Sequence, residues 1–378
     1  MSQKTLISKI YEGIKQVPPD IWDSLAEKSS ITYSTKYWKI IEDSKISGFY
    51  NFTYIIIFSD NKPIGIASCY IFNEDLGKFT KGILKKLITF IRRFFPNFIM
   101  LKVLECGAPI NIHSPPFILN TQIDKANIIL LINKTLHKIA RKNKTFIIGI
   151  KDLDLSFIFE LKINKYTIIN STPNSYLNIK WKSISEYCKS MKSYYRSKLN
   201  NHLRKNTARN INCNITGKFS MLSEDLFKHW LTVYNNAEKL NREILNPRFY
   251  NLLSSSNTIN SKVILFYIDG KLIGHALLIL DNKILRWLYV GREKTVKDSL
   301  YIYIMYKVIE TGINLGMEQI DCGATTYSIK QDLGADITRL YYAVKFDIPI
   351  INFFAKYFFR MLENKNIPKN KNIFKENL

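Results

Sequence analysis

The order of predicted elements occurs twice along this chain, and the repeat restricts the fold more than any other feature. The N-terminal half predicts a helix (19–29), a hairpin (54–72), a strand (99–107), a helix (124–143), a strand (145–153), a short helix (155–163) and a strand (175–181). After a strand at 211–219, the C-terminal half repeats the order at 223–241, 262–280, 284–291, 298–316, 317–323, 327–334 and 339–346. Strands that alternate with helices predict an α/β fold with a mixed sheet in each half.

This repeat predicts two similar domains. We assign the first to residues 1–181 and regard 77–98 as an insertion in it. The second covers 182–350, and its first segment, 182–210, is expected to be one long basic helix. Residues 351–378 are expected to form a basic amphipathic helix followed, after Asn364, by a disordered tail.

Two basic amphipathic stretches stand apart from the repeat. In the first, at 77–98, one helical face carries Ile83, Leu84, Leu87, Ile88, Ile91 and Phe95, and the other carries Lys85, Lys86, Arg92 and Arg93. The second, at 351–362, has a similar pattern. Such helices bind an anionic membrane surface, or they pack against their own protein. The sequence leaves both interpretations open.

The charge of the chain favours anionic partners. Its 55 Lys and Arg against 31 Asp and Glu give a net charge of +24, although a composition rich in Lys, Asn and Ile also fits an AT-biased genome. The five cysteines have no disulfide framework or metal-ligand spacing, so no metal is expected. No signal sequence or uncharged membrane-spanning run is visible. We therefore expect a cytoplasmic protein, with attachment to the inner face of the membrane as an open alternative.

A basic segment precedes the second repeat. Residues 189–209 contain seven Lys and Arg and no acidic residue. Three interpretations remain: a solvated helix, a clamp for an anionic acceptor, and a contact with an RNA backbone. For the clamp, the candidate substrate-binding residues are Arg196, Arg204 and Lys205.

Three segments carry a resemblance to a known family: 173–209 (strand, then basic helix), 269–291 (hairpin, then strand) and 306–335 (helix, Asp-Cys-Gly strand, then Lys before Leu-Gly). In these the chain resembles tandem GNAT acyltransferases, and among them the Fem-like N-acyltransferases of cell-envelope biosynthesis. The resemblance implies two GNAT-like domains in tandem. It also implies that strands 284–291 and 317–323 part, and that the acyl group of a donor enters the gap.

The resemblance also implies roles for individual residues. Lys330 is expected to stabilise an oxyanion or hold a phosphate, Asp321 to accept a proton from the amine, and Tyr327 to protonate the leaving group. Donor binding is assigned to the end of the fourth strand and the start of the next helix, at Tyr289, Gly291, Arg292, Lys294 and Ser299. A surface lysine, a turn-capping aspartate and a packed tyrosine are the plainer alternatives for the catalytic trio. His275 is expected to be packed or solvated rather than catalytic, and Cys322 is expected to be a buried, inert thiol.

The donor is less well defined than the reaction. The segment 291–299 lacks the glycines of the usual acetyl-CoA loop, so an acyl-CoA, an acyl-carrier protein and an aminoacyl-tRNA all remain as co-substrates. We predict an N-acyltransferase that acts on an amine-bearing acceptor in cell-envelope, polysaccharide or secondary-metabolite biosynthesis. The alternatives are an RNA-binding protein and a membrane-peripheral scaffold without catalysis. No signature of specific DNA recognition is present.

Overall fold

The computed structural model describes residues 5–26, 29–79, 82–110, 113–120, 125–236, 242–293, 299–361, 363 and 367–375. These residues form two mixed sheets covered by helices, as predicted. Among them, no helix has the length and apolarity needed to cross a bilayer.

The first sheet has eight strands. In chain order they are β1 (Leu6–Glu12), β2 (Phe49–Ser59), β3 (Lys62–Asp75), β4 (Met100–Cys106), β5 (Phe117–Leu119), β6 (Ile147–Leu153), β7 (Thr167–Asn170) and β15 (Tyr341–Phe346). Their spatial order is β1-β2-β3-β4-β6-β15-β7, and β5 pairs with β3.

The second sheet has seven strands. They are β8 (Asn174–Asn178), β9 (Asn212–Thr216), β10 (Ser261–Ile268), β11 (Lys271–Asp281), β12 (Ile284–Arg292), β13 (Gln319–Asp321) and β14 (Asp336–Thr338). Their spatial order is β14-β8-β13-β12-β11-β10-β9.

Helices connect and cover the strands. They are α1 (Pro19–Ala26), α2 (Thr35–Ser44), α3 (Gly82–Ile91), α4 (Lys125–Lys142), α5 (Ile158–Ile163), α6 (Ile184–Ser190), α7 (Ser193–Thr207), α8 (Ser223–Asn236), α9 (Pro247–Ser254), α10 (Leu300–Asn314), α11 (Tyr327–Asp332) and α12 (Pro349–Met361). The predicted ends of the helices at 223–241 and 298–316 lie partly outside the described residues.

The same hairpin turn occurs in both halves. Asp269 and Gly270 join β10 to β11, and Asp60 and Asn61 join β2 to β3. All four residues have positive φ, which a two-residue type I′ turn requires at both positions. The repeat therefore extends to the turn chemistry, and the prediction of a hairpin at Asp269-Gly270 is confirmed.

The two sheets exchange their last strands. β8, predicted to finish the N-terminal half, lies between β13 and β14 of the second sheet. β15, predicted to finish the C-terminal half, lies between β6 and β7 of the first. The division between the sheets therefore does not fall at residues 181 and 182. Hydrophobic patterning predicts a strand but does not specify the sheet that it joins, which is why the exchange was missed.

One apolar core belongs to both units. It combines Tyr37, Phe49 and Tyr70 from the first unit with Trp230 and Phe249 from the second. Because the core crosses between the sheets, the two repeats pack directly against each other.

The basic segment 182–210 is two helices rather than one. Between α6 and α7, Met191 is extended and bridges to Phe374, and the Lys192 N–H donates to the Ile373 carbonyl at 2.8 Å. The prediction of a disordered tail is therefore wrong for 367–375. Ile373 is buried, and the Phe374 ring packs 4.8 Å from that of Trp181. Long-range contacts of this kind leave no local sequence pattern.

The two amphipathic stretches differ in how they pack. In α12, Ala355 and Phe359 are buried in the shared core, so this helix is docked on its own protein along one face. In α3, Ile88 is buried, but Ile83 and Leu87 are exposed. Both helices therefore present apolar side chains to solvent.

Candidate functional site

Strands β12 and β13 run in parallel but stay together over a short length. Their register covers three pairs, Ile284 with Gln319, Leu285 with Ile320, and Arg286 with Asp321. Beyond these pairs β12 continues to Arg292 along β11, while the Cys322 N–H donates to the Ser175 carbonyl on the opposite side. The pairing of β12 with β13 therefore ends at Arg286 and Asp321, within the two strands that were predicted to part.

A bulge bends β12 at this point. Leu277 pairs with Tyr289 and Leu278 with Trp287, so Leu288 is the extra residue of the bulged strand. A bulge bends its strand and increases the local twist. It therefore changes the direction of β12 just beyond its last pair with β13.

Aromatic rings line the approach to the gap from α10. The Trp287 and Tyr301 rings stack with centroids 5.6 Å apart, and the Arg292 guanidinium lies 5.6 Å from the Tyr301 ring. Ser299, immediately before α10, is buried, and its carbonyl accepts from Asn206 Nδ2 at 3.3 Å. Of the five predicted donor-binding residues, Arg292 ends β12 and Ser299 immediately precedes α10. Lys294 lies outside the described residues.

The other two predicted donor-binding residues lie on β12 itself. A Cβ at Gly291 would come within 2.2 Å of His275 Cε1, so the strand requires glycine there. His275 is fully buried, and burial lowers its pKa to about 3. It is a neutral, packed histidine, as predicted. Tyr289 contacts a carboxylate that the sequence did not single out.

That carboxylate is Glu243, at the start of the described segment after α8. It accepts from the Tyr289 hydroxyl, with 2.9 Å between Oε1 and the phenol oxygen. Burial raises the pKa of the Glu243 carboxyl above its ordinary value. A carboxylate with a raised pKa beside a bound substrate is suited to accept a proton.

A second carboxylate lies where the units meet. Glu105, fully buried at the end of β4, accepts from the hydroxyls of Tyr70 and Tyr342 and from Arg242 Nη1 at 2.9 Å. Burial would raise the Glu105 pKa, but the charges of Arg242 and Lys151 outweigh it and hold the pKa below its ordinary value. Sequence analysis missed Glu105, Arg242 and Glu243 because these residues come together only in the folded chain.

Asp321 lies at the last pair between β12 and β13. Its Oδ1 accepts from Asn174 Nδ2 at 2.8 Å and from the Gly323 N–H at 3.0 Å. Its Oδ2 accepts from Arg286 Nη1 at 3.1 Å. With these partners, Asp321 fixes the turn that leaves β13.

The turn after β13 forms one wall of the proposed gap, and the other two predicted catalytic residues lie beside this wall. Lys330 is buried, and its Nζ donates to the carbonyls of Gly323 at 3.0 Å and Ala324 at 2.7 Å. Burial lowers the pKa of Lys330 to about 8. Tyr327 donates to the Pro173 carbonyl at 2.7 Å. The structure brings all three predicted catalytic residues to the turn after β13, with their polar atoms bonded to protein groups.

Arg286 joins this wall to the first unit. Its Nε donates to Asp281 at 2.6 Å, and its Nη1 donates to the His113 carbonyl at 3.0 Å. Asp281 in turn accepts from the Ser30 hydroxyl at 2.5 Å. The guanidinium therefore connects two strands of one sheet to loops of the other unit.

The predicted substrate-binding residues lie elsewhere. Arg204 and Lys205 are exposed on α7, and Arg204 Nη2 donates to Asn201 Oδ1 within the same helix. Arg196, half-buried, donates to the Lys189 carbonyl at 3.4 Å. The buried face of α7 packs in the core of the second sheet with α10. Within the described part of the chain, the hydrogen bonds of Arg196 and Arg204 stay within α6 and α7, and this geometry favours the solvated-helix interpretation.

Metal binding has no candidate cluster here. Within the described ranges, no group of three or more His, Cys, Asp or Glu side chains is placed to hold a metal ion. Cys322 is buried, and burial raises the pKa of its thiol to about 12, which matches the predicted inert cysteine.

Comparison with known families gives one match that covers most of the chain. The FemAB_like family model, described as peptidoglycan biosynthesis/recognition, matches residues 13–334.

Comparison with solved structures identifies the same architecture. FemX has a TM-score of 0.55 at 12% identity, covering 89% of this chain and 96% of its own. The C-terminal domain of a lysylphosphatidylglycerol synthetase from Agrobacterium fabrum scores 0.53 at 9% identity, covering 93% and 98%. A tandem GNAT protein from the clavulanic acid biosynthesis pathway scores 0.52 at 8% identity, covering 91% and 99%. These similarities show that the fold is the tandem GNAT fold.

A curated relative is similar in sequence over part of its length. The Mycobacterium tuberculosis protein named 8-amino-7-oxononanoate synthase 2 is 23% identical over 305 residues, which cover 77% of this chain. The chain spans 39% of the length of that relative. The name describes the longer protein.

Replacing Arg286 tests the connection between the units. Arg286→Met leaves Asp281 and Asp321 buried without their cation, so we expect the free energy of unfolding to fall by about 3–5 kcal/mol. Urea titration followed by circular dichroism measures this loss. The control is Arg209→Met, at an exposed position. Equal stability of the two variants would contradict the assigned role of Arg286.

The pKa of Lys330 predicts a pH dependence of stability. The folded pKa, about 8, lies below the ordinary 10.5, so the unfolded chain binds more protons between these values. Stability therefore rises with pH in this window, by up to about 3 kcal/mol relative to Lys330→Met. Urea titrations of both proteins at about pH 7.5, 9 and 10.5 measure the difference in their free energies of unfolding. A difference that is constant with pH would contradict the burial of this amine.

Proposed function

The chain belongs to the FemAB-like family, and from this membership we propose that it transfers an acyl or aminoacyl group from an activated ester or thioester to an amine in cell-envelope biosynthesis. The observations that carry the proposal are the end of the β12–β13 register at Arg286 and Asp321, and a carboxylate with a raised pKa, Glu243, that bonds to Tyr289 of β12. The gap suits the donor carbonyl, and the carboxylate suits the attacking amine.

The proposed gap would admit a planar acyl group between the two strands. The bulge at Leu288 leads one edge away, and the turn 322–326 forms the other edge. Backbone N–H groups at such edges can donate to the oxyanion that develops when the carbonyl is attacked. Most of the rate enhancement would come from this stabilisation and from the positioning of two substrates.

Glu243 is the proposed general base. The amine nitrogen attacks the carbonyl carbon, and the proton that it loses passes to the Glu243 carboxylate. Collapse of the tetrahedral intermediate breaks the bond to the ester oxygen or thioester sulfur, and this leaving atom takes the proton back from the Glu243 carboxyl. The Tyr289 hydroxyl, 2.9 Å from Glu243 Oε1, orients the carboxylate.

Lys330, Asp321 and Tyr327 are proposed as positioning residues rather than as groups that touch the reacting atoms. Each bonds to a backbone group in or beside the turn after β13: the Gly323 and Ala324 carbonyls, the Gly323 N–H and the Pro173 carbonyl. Together they would keep one wall of the gap in place. This role fits these hydrogen bonds better than proton transfer does.

Aminoacyl-tRNA is the donor that we propose first, with acyl-CoA and acyl-carrier protein as alternatives. Segment 291–299 lacks the glycines of the usual acetyl-CoA loop, and the net charge of +24 suits a polyanionic carrier. FemX is a structural neighbour of this chain. The resemblance of the sequence to Fem-like transferases also implied aminoacyl-tRNA as a donor. Such a donor would place the reaction in the cytoplasm, and the acceptor would be an amine on a cell-envelope precursor.

A turnover screen tests the transfer reaction. The protein is incubated with charged tRNA, acyl-CoAs or acyl-carrier proteins together with amine-bearing cell-envelope precursors, and products are identified by mass spectrometry. We expect an amide product with charged tRNA. Absence of an amide with every donor would favour the non-catalytic scaffold, and an amide with a thioester alone would reassign the donor.

The general base can be tested in the reaction so identified. Glu243→Gln keeps the shape and the hydrogen bond but removes the basic oxygen, so we expect kcat/KM to fall by about 10²–10⁴. Because burial raises the Glu243 pKa, the acidic limb of the wild-type profile should lie above pH 4.5 and vanish in the variant.

The control for this test is Glu224→Gln, at an exposed position in the first turn of α8. It makes the same chemical change on the same unit and should leave kcat/KM and the pH profile unchanged. If Glu243→Gln behaved like this control, another group would be the base.

A further inference from the structure

A large basic cavity lies on the first unit, away from the gap between β12 and β13. It has a volume of about 1260 Å³ and is bounded by α4, α5, β7, β15 and α12. The residues singled out for the transfer reaction do not line it. Its function is therefore a separate question.

Positive charge dominates the lining. Six basic residues contribute: Lys134, Arg141, Lys162, Lys165, Lys345 and Lys356. Against them stand two carboxylates, Asp347 and Glu363. An excess of this size inside one cavity favours an anionic occupant.

Both carboxylates are engaged by protein groups. Asp347 accepts from Arg141 Nε at 3.1 Å and contacts His137 Nδ1. Glu363 accepts from Asn170, at 3.0 Å from the backbone N–H and 2.6 Å from Nδ2. Among the six basic residues of the lining, Arg141 forms an ion pair with one of these carboxylates. The lysines retain donors for a ligand.

The rim of the cavity is apolar and exposed. Leu155 and Phe353 line the cavity and expose 72% and 57% of their surface. Phe159 and Ile163, on α5, and Ile350, on α12, do not line the cavity but are also exposed on the helices that bound it. Residue Lys356 lies 4.1 Å from the Phe353 ring, so charge and apolar surface adjoin. A free phosphate would make no favourable contact with such apolar side chains.

We propose that this cavity binds the phosphate headgroup of an anionic membrane lipid, with the rim of α5 and α12 side chains in the lipid interface. Basic residues attract an anionic leaflet, and adjacent aromatic and aliphatic side chains bury apolar surface at the headgroup boundary. The aliphatic members of the rim favour a lipid over RNA, because they cannot stack on bases as aromatic rings do. This inference goes beyond the proposed transfer reaction and uses none of its residues.

Flotation of the full chain with vesicles tests the cavity. Vesicles of phosphatidylcholine with about a third phosphatidylglycerol should bind the wild type, and vesicles of phosphatidylcholine alone should bind it at least tenfold less. A double variant, Lys134→Glu with Lys162→Glu, should lose binding by about tenfold or more. Both positions are exposed and line the cavity.

The matched control is Lys138→Glu with Lys144→Glu. These positions are exposed on the same unit but do not line the cavity, and the change in net charge is the same. We expect this control variant to lose vesicle binding by less than about threefold, because only its diffuse electrostatic attraction to the membrane is weakened. An equal loss in the two double variants, or no vesicle binding by the wild type, would overturn the proposal.

Two further measurements distinguish the binding of a lipid from the binding of other anions. Phe353→Ser should weaken vesicle binding, and inorganic phosphate at equal ionic strength should not displace the vesicles. Displacement by phosphate with no effect of Phe353→Ser would make the cavity a site for free phosphate. Loss of tRNA binding rather than vesicle binding in the Lys134/Lys162 variant would make it an RNA site. Amide formation with a soluble acceptor should be unchanged in the lysine variants, so failure here leaves the transfer reaction standing.

Discussion

The position of one buried guanidinium determines much of this structure. Arg286 occupies the last pair between β12 and β13, and it bonds to Asp281 and Asp321 of its own sheet. It also donates to the His113 carbonyl of the first unit. Removing a charge from water is costly unless partners replace the water, and one of these partners, the His113 carbonyl, is in place only when both units are assembled. The place where the strands separate and the packing of the two repeats are therefore coupled.

The exchange of strands also couples the two units, and it does so over a larger part of the structure. β8 completes the second sheet and β15 completes the first, so neither sheet is finished by its own half of the chain. The shared apolar core and the Arg242–Glu105 pair add contacts across the same boundary. A reaction between two bound substrates benefits from this arrangement, because a rigid pair of units keeps the donor gap and the proposed base in fixed relation.

The sequence predicted the features that depend on local pattern. Turn residues such as Asp269-Gly270 and the alternation of strands and helices identified both repeats, and the quoted segments identified the family. Contacts between distant residues had no such signal: the pairing of β15 with β6, the Glu105–Arg242 pair and the packing of Ile373 all depend on assembly. The hydrogen bonds from Lys330 to the Gly323 and Ala324 carbonyls are likewise visible only in the fold, and the positioning role proposed for this residue rests on them.

The central claim is that the separation of β12 from β13 admits an activated carbonyl. A crystal structure with an unreactive amide or thioether analogue of the donor identified by turnover tests it most directly. The account predicts that the carbonyl lies between Leu288 and the turn at Gly323, within hydrogen-bonding distance of backbone N–H groups. An analogue bound elsewhere, with β12 and β13 closed together beyond Asp321, would contradict it.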